Sequence, residues 1–502
     1  MLMKNNRITA TVFSVTGLLI VSKLLGFVKQ LVTASAFGAT LETDLINLSQ
    51  GFIGDLQYLL VQSVLSSLIA VYLHIAQQGE DAARRFSFDV WKALTVITAG
   101  VVLLVELCAP WLAHLIAPSY PAEQLTVLSG YLRLFAPVLL PLAWIAVFNG
   151  LRHANTRFIP GEMISVHQSI LLSALTALLA KRLGVEVLVV AFFAYNLWNT
   201  GYTAILSRHY WTASRGNPFQ NPAVCRLLRM MLPLLLGYSL VYVNQMVDKA
   251  LVSGLEDGTV TALGYAAVLS NLVSTFIMTF ASMLFAYVTT HIASGDENGA
   301  ADLTEQAAIV LQTAFLPVCL LTVLCAEEIV TIVYAHGAIG GRSVQLCVRA
   351  LRGYALMFPP LVFREVYSRF LYGHRDSKRP MVNSSIAVVC NIVLSIALCP
   401  RFGVFGVTVA SSISVALCGA MDLCSARRIH PELNSAALLH ALPWLLTGSI
   451  ACLAVAGTGL HIFSGTAPLL RFALTALLGI AAYALAAAPL LLRLLRQLRQ
   501  YT

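Results

Sequence analysis

The chain has 502 residues, of which 58% are hydrophobic and 11% charged, and its formal net charge is +9. A soluble chain of this length needs far more charge on its surface, so the composition excludes a water-soluble fold. In lipid, only helices and closed barrels satisfy the backbone hydrogen bonds. The apolar runs are continuous and of helical length rather than alternating, which predicts an all-α integral membrane protein.

Apolar runs of at least about 20 residues predict roughly fourteen membrane-spanning helices. Arginine and lysine concentrate before the first span and after the second, fourth, sixth, tenth and twelfth spans. The positive-inside rule therefore places both termini in the cytoplasm. The first span lacks a small-residue cleavage site, so we expect no cleavable signal peptide. The predicted spans are 8–37, 43–76, 87–117, 123–151, 160–181, 186–207, 226–255, 260–293, 303–335, 345–373, 380–400, 404–426, 437–461 and 468–492.

A loose internal repeat connects the two halves of the chain. Residues 132–137 read Leu-Arg-Leu-Phe-Ala-Pro and residues 351–356 read Leu-Arg-Gly-Tyr-Ala-Leu, at an offset of 219 (351 − 132). Parallel six-helix repeats are common in transporters, with the substrate site between the halves. Chance similarity among apolar helices is the alternative interpretation. The predicted organisation is an N-terminal six-helix lobe at 1–215, a C-terminal six-helix lobe at 216–430 and two additional helices at 431–502.

Ionisable side chains inside the predicted spans are the main functional signal, because each costs about 2.5–3.5 kcal/mol at mid-bilayer on insertion scales. Lys23 and Lys29 lie about 120° apart around the first helix, so both can line one broad cavity wall. Snorkelling to the headgroups is the alternative for Lys29 and Asp44, and structural pairing with Asp248 is the alternative for Lys249. A cationic cavity suits a phosphate-bearing substrate. The candidate substrate-binding residues are Lys23, Lys29, Asp44, Lys249 and Arg352.

Motifs for other chemistry are missing from the sequence. There is no P-loop and no nucleophile elbow, and the eleven histidines show no metal-ligand spacing. The ten cysteines form no CxxC pair and lie mostly in apolar runs, where they are expected to be small buried hydrophobic residues. We therefore expect neither an enzyme nor a nucleic-acid-binding protein.

Several short motifs occur together. Residues 22–29 read Ser-Lys-Leu-Leu-Gly-Phe-Val-Lys, residues 37–39 read Phe-Gly-Ala, and Thr43 precedes Asp44. Together these motifs resemble MurJ/MviN-type lipid II flippases, which belong to the multidrug/oligosaccharidyl-lipid/polysaccharide exporter superfamily. The resemblance extends over nearly the whole chain. Its further motifs are Val-Asp-Lys at 247–249, Tyr-Ala-His-Gly-Ala at 334–338 and Arg-Glu-Val-Tyr-Ser-Arg at 364–369.

The resemblance implies a V-shaped, two-lobed inner-membrane flippase with a central cationic cavity and alternating access. It would move a polyprenyl-diphosphate-linked glycan, such as lipid II, from the cytoplasmic to the periplasmic leaflet. Lys23 and Lys29 fall on first-helix arginines of the family, and Asp44 falls on its Thr-Asp aspartate. Gln57 and Tyr58 stand where lipid II flippases commonly carry an arginine pair.

Further departures keep other functions open. Val268 stands where the family carries an eighth-helix arginine, and Gln30 replaces an aspartate. The alternatives are an exporter of exopolysaccharide or O-antigen-type repeat units, a cation-coupled small-molecule exporter, and a non-transporting scaffold. The expected partners are the lipid-linked glycan, membrane lipids and envelope glycan synthases.

The resemblance also implies a sodium-ligand set. Ser395 stands where an aspartate is expected, which removes one anionic ligand. Coupling to the membrane potential, or to protons through Asp248 or Glu106, is the alternative, and no metal other than sodium is expected. The ion-coupling candidates are Asp248, Asn391, Ser395, Val407 (through its carbonyl) and Ser411.

Overall fold

The computed structural model describes residues 2–157, 159–336, 340–431, 433 and 436–501. Within these residues the regular structure is entirely helical, with seventeen α-helices and short 3₁₀ turns between some of them. Gly337 and Ala338, which belong to one of the family motifs, lie outside the described residues. The chain divides into two compact units, Met1–Val260 and Thr261–Thr502.

The N-terminal unit packs its helices around α2 and α3. Helix α1 packs against α6, and α2 packs against α5 and α8. Leu68, Phe86 and Leu227, each at most 2% exposed, belong to its apolar core. The turn between α1 and α2 contains Gly38 and a capping box in which Thr40 and Thr43 bond each other's backbone N–H. The helices are α1 Leu2–Phe37, α2 Leu41–Ala76, α3 Glu80–Ile116, α4 Ala122–Phe135, α5 Leu139–Ala154, α6 Ile159–Leu183, α7 Val187–Ser207 and α8 Pro222–Ser253.

The C-terminal unit is built around α10, α13 and α14. Helix α13 packs along α14, while α15 packs against both α10 and α16. Phe358, Tyr367 and Phe370 are almost fully buried in its core. The helices are α9 Thr259–Ala293, α10 Glu297–Leu324, α11 Ala326–Tyr334, α12 Gly341–Ala355, α13 Phe358–Gly373, α14 Lys378–Ile429, α15 Ala436–Ile462, α16 Pro468–Ala486 and α17 Ala488–Tyr501.

The predicted membrane spans are confirmed as helices. Each of the fourteen lies within a helix, within two consecutive helices or within part of α14, and extends at most two residues beyond it. Several helices continue past the predicted span, as α3 does by beginning at Glu80 rather than at residue 87. In the described residues, nine helical stretches are long and apolar enough to cross a membrane by length and composition alone. Leu107, Leu178 and Leu485 are 73%, 74% and 78% exposed, as expected for side chains in contact with lipid.

The compact units divide between Val260 and Thr261, and the predicted lobe division at residues 215 and 216 stays a prediction. Helix α8 packs against α2 and α3, so it belongs with the N-terminal unit. The two helices predicted as additions, α15 and α16, pack against α10 and α11 and complete the C-terminal unit. The packing boundary therefore lies after α8, whereas the predicted lobe boundary lies before it.

Two arginines support the predicted repeat in local detail. The helix pairs α4–α5 and α12–α13 are interrupted at corresponding places in the two halves. Arg133 donates Nε–H to the Glu106 carbonyl at 3.2 Å, and that carbonyl is free because Pro110 has no N–H to donate. Arg352 donates Nε–H to the Val323 carbonyl at 3.2 Å, where α10 ends. Each arginine thus satisfies a helix carbonyl that lacks its normal partner.

Helix α14 contains two predicted spans and reverses direction between them. Gly403 has φ 59° and ψ −141°, which favours glycine, and the ring of Pro400 removes a helical hydrogen bond just before it. A Cβ added to Gly406 would lie 2.6 Å from the Leu398 carbonyl oxygen. In a straight helix these two residues would be about 12 Å apart along the axis, so the chain folds back on itself here.

Candidate substrate and ion-coupling sites

The two lysines of α1 differ in their surroundings. Lys23 is exposed and Lys29 is partly buried. Glu162, on the neighbouring α6, interacts electrostatically with Lys23. Within the described part of the chain, neither ammonium group forms an ion pair within 4.0 Å. Neither charge is therefore neutralised by a direct salt bridge within the described residues.

Asp44 is enclosed by backbone rather than open to a cavity. Its side chain is 1% exposed, and its Oδ2 accepts a hydrogen bond from the Gly258 N–H at 2.8 Å. Burial and the carboxylates of Asp44 and Asp257 raise the pKa of Tyr120. Gly258 has φ +83°, and a Cβ there would lie 2.3 Å from the Ala39 carbonyl oxygen. Asp44 thus fixes the loop after α8 to the turn after α1, and its contact with a substrate stays a prediction.

Lys249 forms an ion pair across two helices. Its Nζ lies 3.0 Å from Oδ2 of Asp55 on α2, and the two side chains are 26% and 21% exposed. A Cβ added to Gly51 would lie 3.0 Å from the same Nζ, so the glycine leaves room for the lysine side chain. The positive charge of Lys249 is therefore largely neutralised inside the N-terminal unit.

Two tyrosines lie on the same helix pair as this ion pair. The rings of Tyr58 on α2 and Tyr242 on α8 have centroids 5.3 Å apart. Tyr58 is 45% exposed and follows Asp55 by about one helical turn. At the α2 positions where lipid II flippases commonly carry an arginine pair, this chain thus has an exposed aromatic side chain instead of positive charge.

The basic motif of α13 and the predicted ligand Arg352 are used in helix packing. Arg369 forms an ion pair with Glu365 on its own helix. It also donates to Ser282 Oγ at 2.9 Å and to the Met278 carbonyl at 3.2 Å, both on α9. Arg352 uses its Nε–H at the end of α10. Substrate binding by Arg352 remains a prediction.

Four of the five ion-coupling candidates come together on the two arms of α14. Ser395 Oγ donates to Asn391 Oδ1 at 3.0 Å, and Asn391 Nδ2 donates to Ser411 Oγ at 3.2 Å. Ser411 Oγ in turn donates to the Val407 carbonyl at 3.3 Å. The fifth candidate, Asp248, lies on α8 of the N-terminal unit.

This α14 set supplies neutral oxygen atoms only, from the side chains of Asn391, Ser395 and Ser411 and from the Val407 carbonyl. Hard cations are bound by carbonyl and hydroxyl oxygens as well as by carboxylates. The one carboxylate among the candidates belongs to Asp248. The sodium prediction remains untested, and no step proposed below passes through that ion.

One cluster of functional groups was missed by the sequence analysis. Glu297, His374 and His430 come together in the C-terminal unit although they are far apart in sequence. Their spacing gives no metal signature. The available signal was that all three lie at ends of predicted spans on the predicted cytoplasmic side.

Comparison with solved structures defines the fold. A structure of the lipid II flippase MurJ in an inward closed conformation matches with a TM-score of 0.81 and 18% identity, covering 96% of this chain and 100% of that one. An inward-facing multidrug resistance MATE family transporter of the MOP superfamily matches with a TM-score of 0.65 and 14% identity, covering 83% of this chain and 96% of that one. The protein is therefore a multi-pass α-helical membrane protein with the fold of MOP superfamily transporters.

Sequence comparison defines the family within that class. The family model described as lipid II flippase MurJ matches residues 33–468. A probable lipid II flippase MurJ from Rhizobium meliloti (strain 1021) is 24% identical over 416 residues, covering 80% of this chain and 77% of the relative. One from Treponema pallidum (strain Nichols) is 21% identical over 417 residues with the same shares. The chain belongs to the lipid II flippase MurJ family, which confirms the resemblance; its relatives are named as flippases, not enzymes.

Proposed function

We propose that the protein moves a polyprenyl-diphosphate-linked glycan from the cytoplasmic to the periplasmic leaflet of the inner membrane by alternating access. We also propose that both termini lie in the cytoplasm, and lipid II is the first substrate to test. The observation that carries the proposal is that Lys23 and Lys29, on a membrane helix of a MurJ-family chain, form no ion pair in the described residues.

Charge compensation favours the two lysines of α1 as ligands of a diphosphate. An uncompensated ammonium group inside a membrane span is costly, and a diphosphate offers several strong acceptor oxygens with negative charge. Lysine meets these oxygens as a flexible point charge, so two lysines can follow a diphosphate that changes its position during transport. Lys249 differs because Asp55 already neutralises it. The α1 lysines are thus the better candidates for the first contact with the substrate.

Complementation of a strain depleted of its lipid II flippase tests this function. We expect the unmodified chain to restore growth, and the variant Lys23→Ala/Lys29→Ala to fail while it is present in the membrane at the same level. A matched control, Lys181→Ala/Arg182→Ala, removes two cations from the exposed end of α6 and should still restore growth. Full rescue by the α1 double variant would contradict the role given to the lysines.

A second candidate function is export of an exopolysaccharide or O-antigen-type repeat unit. The exposed Tyr58 beside Tyr242, and the neutralised Lys249, favour it because they leave fewer free cations than a lipid II flippase is expected to carry. Rescue of a strain lacking its repeat-unit flippase, without rescue of the lipid II flippase strain, would establish this substrate. In either case an envelope glycan polymerase would consume the product in the periplasm.

We propose that the membrane potential or protons, rather than sodium, drive transport, because Ser395 removes one anionic ligand from the expected sodium-ligand set. Replacing sodium by choline at constant membrane potential should leave transport unchanged in vesicles. A loss of transport that is restored by sodium alone would overturn this proposal.

A further inference from the structure

Three helix ends of the C-terminal unit meet in a cluster of one glutamate and two histidines. Glu297 opens α10, His374 directly follows α13, and His430 directly follows α14. Oε2 of Glu297 lies 2.9 Å from Nε2 of His374 and 3.1 Å from Nε2 of His430. One ligand atom from each residue lies within 4.8 Å of the others.

The hydrogen bond at the other ring nitrogen sets the tautomer of His374. Its Nδ1 lies 2.9 Å from the Phe370 carbonyl oxygen, which can only accept. Nδ1 therefore carries a proton, and in the neutral ring Nε2 presents its lone pair to Glu297. A donor bond from the second ring nitrogen to a carbonyl is the usual orientation of metal-binding histidines.

Two acceptors cannot face each other at 2.9 Å without a cation between them. In this arrangement Glu297 offers a carboxylate oxygen to two histidine nitrogens at once. A proton on each Nε2 would allow both rings to donate hydrogen bonds to the carboxylate. Alternatively, a single divalent ion could be bound by all three groups at once. The ring of Phe370 lies against both imidazoles, with centroids 4.5 and 5.5 Å away, and restricts their rotation. Both histidine side chains are mostly buried, at 11% and 16% exposure.

We propose that Glu297, His374 and His430 bind a divalent transition-metal ion of the zinc class. Tetrahedral zinc bonded to nitrogen and oxygen at about 2.0–2.1 Å separates its ligand atoms by about 3.3 Å, close to the two observed distances. Two imidazoles and a carboxylate form a known ligand combination for zinc, and the fourth position would be open to water on the side of Glu297, which is 43% exposed.

The neighbouring charged groups do not compete for this ion. Asp296 caps α10 through the Gly299 N–H and pairs with His291 at 2.8 Å. These two contacts hold the pKa of the Asp296 carboxyl below its usual range. A bound ion would instead connect the ends of α10, α13 and α14, so its effect is independent of which glycan the protein transports.

Zinc titration of the purified full-length chain tests the site. The protein should be purified without a histidine tag, stripped with a chelator, and titrated with zinc chloride by calorimetry in detergent. We expect one ion per chain and a zinc-dependent rise in Tm, both lost in His374→Ala/His430→Ala. The control His440→Ala/His461→Ala removes two exposed histidines of the same unit and should bind as the unmodified chain does.

A spectroscopic measurement on the unmodified chain covers the case in which the double variant fails to fold. Cobalt bound in place of zinc should give the visible absorption of a four-coordinate site with nitrogen ligands. Equal zinc binding by both double variants, or no binding and no cobalt spectrum in the unmodified chain, would overturn the proposal. In the latter case protons, not a metal, bridge the three groups.

Discussion

The ion pair between Asp55 on α2 and Lys249 on α8 should appear as a coupling energy in a double-mutant cycle. The charged atoms are 3.0 Å apart, and each side chain is about one quarter exposed. At an effective dielectric constant of about 20, this separation corresponds to roughly 5 kcal/mol of attraction. Removal of both groups from water offsets most of it, so we expect a coupling energy of about 1–3 kcal/mol.

Three variants measure this coupling. Asp55→Asn leaves a positive charge without a partner between the helices, and Lys249→Met leaves a negative one. Each single change should lower the free energy of unfolding by about 2–3 kcal/mol, because the remaining charge stays partly desolvated. The double variant Asp55→Asn/Lys249→Met leaves no charge and should lose less than the sum of the two. Unfolding in mixed micelles, titrated with a denaturing detergent, gives the four free energies.

The matched control cycle uses the exposed pair Glu80–Arg84 on α3, whose side chains are 78% and 35% exposed. Exposed pairs of this spacing typically contribute about 0.3–0.5 kcal/mol, so this cycle should be almost additive. If the cycle for Asp55 and Lys249 were additive to within about 0.5 kcal/mol as well, the pair would add nothing to helix packing, and the reasoning given for the neutralised Lys249 would be refuted.

Three further substitutions test the packing. Gly258→Ala should lower the free energy of unfolding by at least about 2 kcal/mol, because φ is +83° and the new Cβ would clash with the Ala39 carbonyl. A loss below about 0.5 kcal/mol would contradict this. Arg352→Met should cost about 1–2 kcal/mol by exposing the Val323 carbonyl, and no change would show that this cap is dispensable. Arg152 is 1% exposed, and its two Nη atoms have no hydrogen-bond partner in the described residues. Its guanidinium carbon lies 5.9 Å from the centre of the Tyr202 ring, a contact that offsets only part of the desolvation. Arg152→Met should therefore leave stability unchanged or raise it by about 1 kcal/mol. The same unfolding titration measures all three, and a loss of more than about 1 kcal/mol for the last would contradict this prediction.

The helices were predictable because the membrane imposes a length and a polarity on each span. The sequence also marked the reversal in α14, since the predicted spans 380–400 and 404–426 stop on either side of Gly403. Local signals of this kind need no knowledge of the partner helix. The interruption of the fourth and tenth spans was not foreseen, although Pro137 and the pair Pro359–Pro360 lie directly after the breaks. Proline disfavours the helical conformation of the residue before it, so this local signal was present in the sequence.

The candidate sites were harder to predict because they depend on pairing between distant helices. Nothing in the sequence marked Asp55 as an ion-pair partner of Lys249, because the two residues are far apart along the chain. The motif positions Asn391, Ser395 and Ser411 did come together, since they lie on the two arms of one hairpin. Glu297 and the two histidines offered no spacing that a sequence pattern could detect.

The reversal at Gly403 has a consequence for how this chain enters the membrane. The two arms of α14 are joined by only a few residues, and Gly406 lies against the Leu398 carbonyl with no space for a side chain. Because the link is so short, it cannot extend to leave one arm outside the bilayer while the other is already inserted. The two arms should therefore enter the bilayer together as a helical hairpin. An epitope or a glycosylation site inserted at this link would therefore disturb biogenesis itself, whereas the same insertion after Ser464, in the exposed turn that follows α15, should be tolerated.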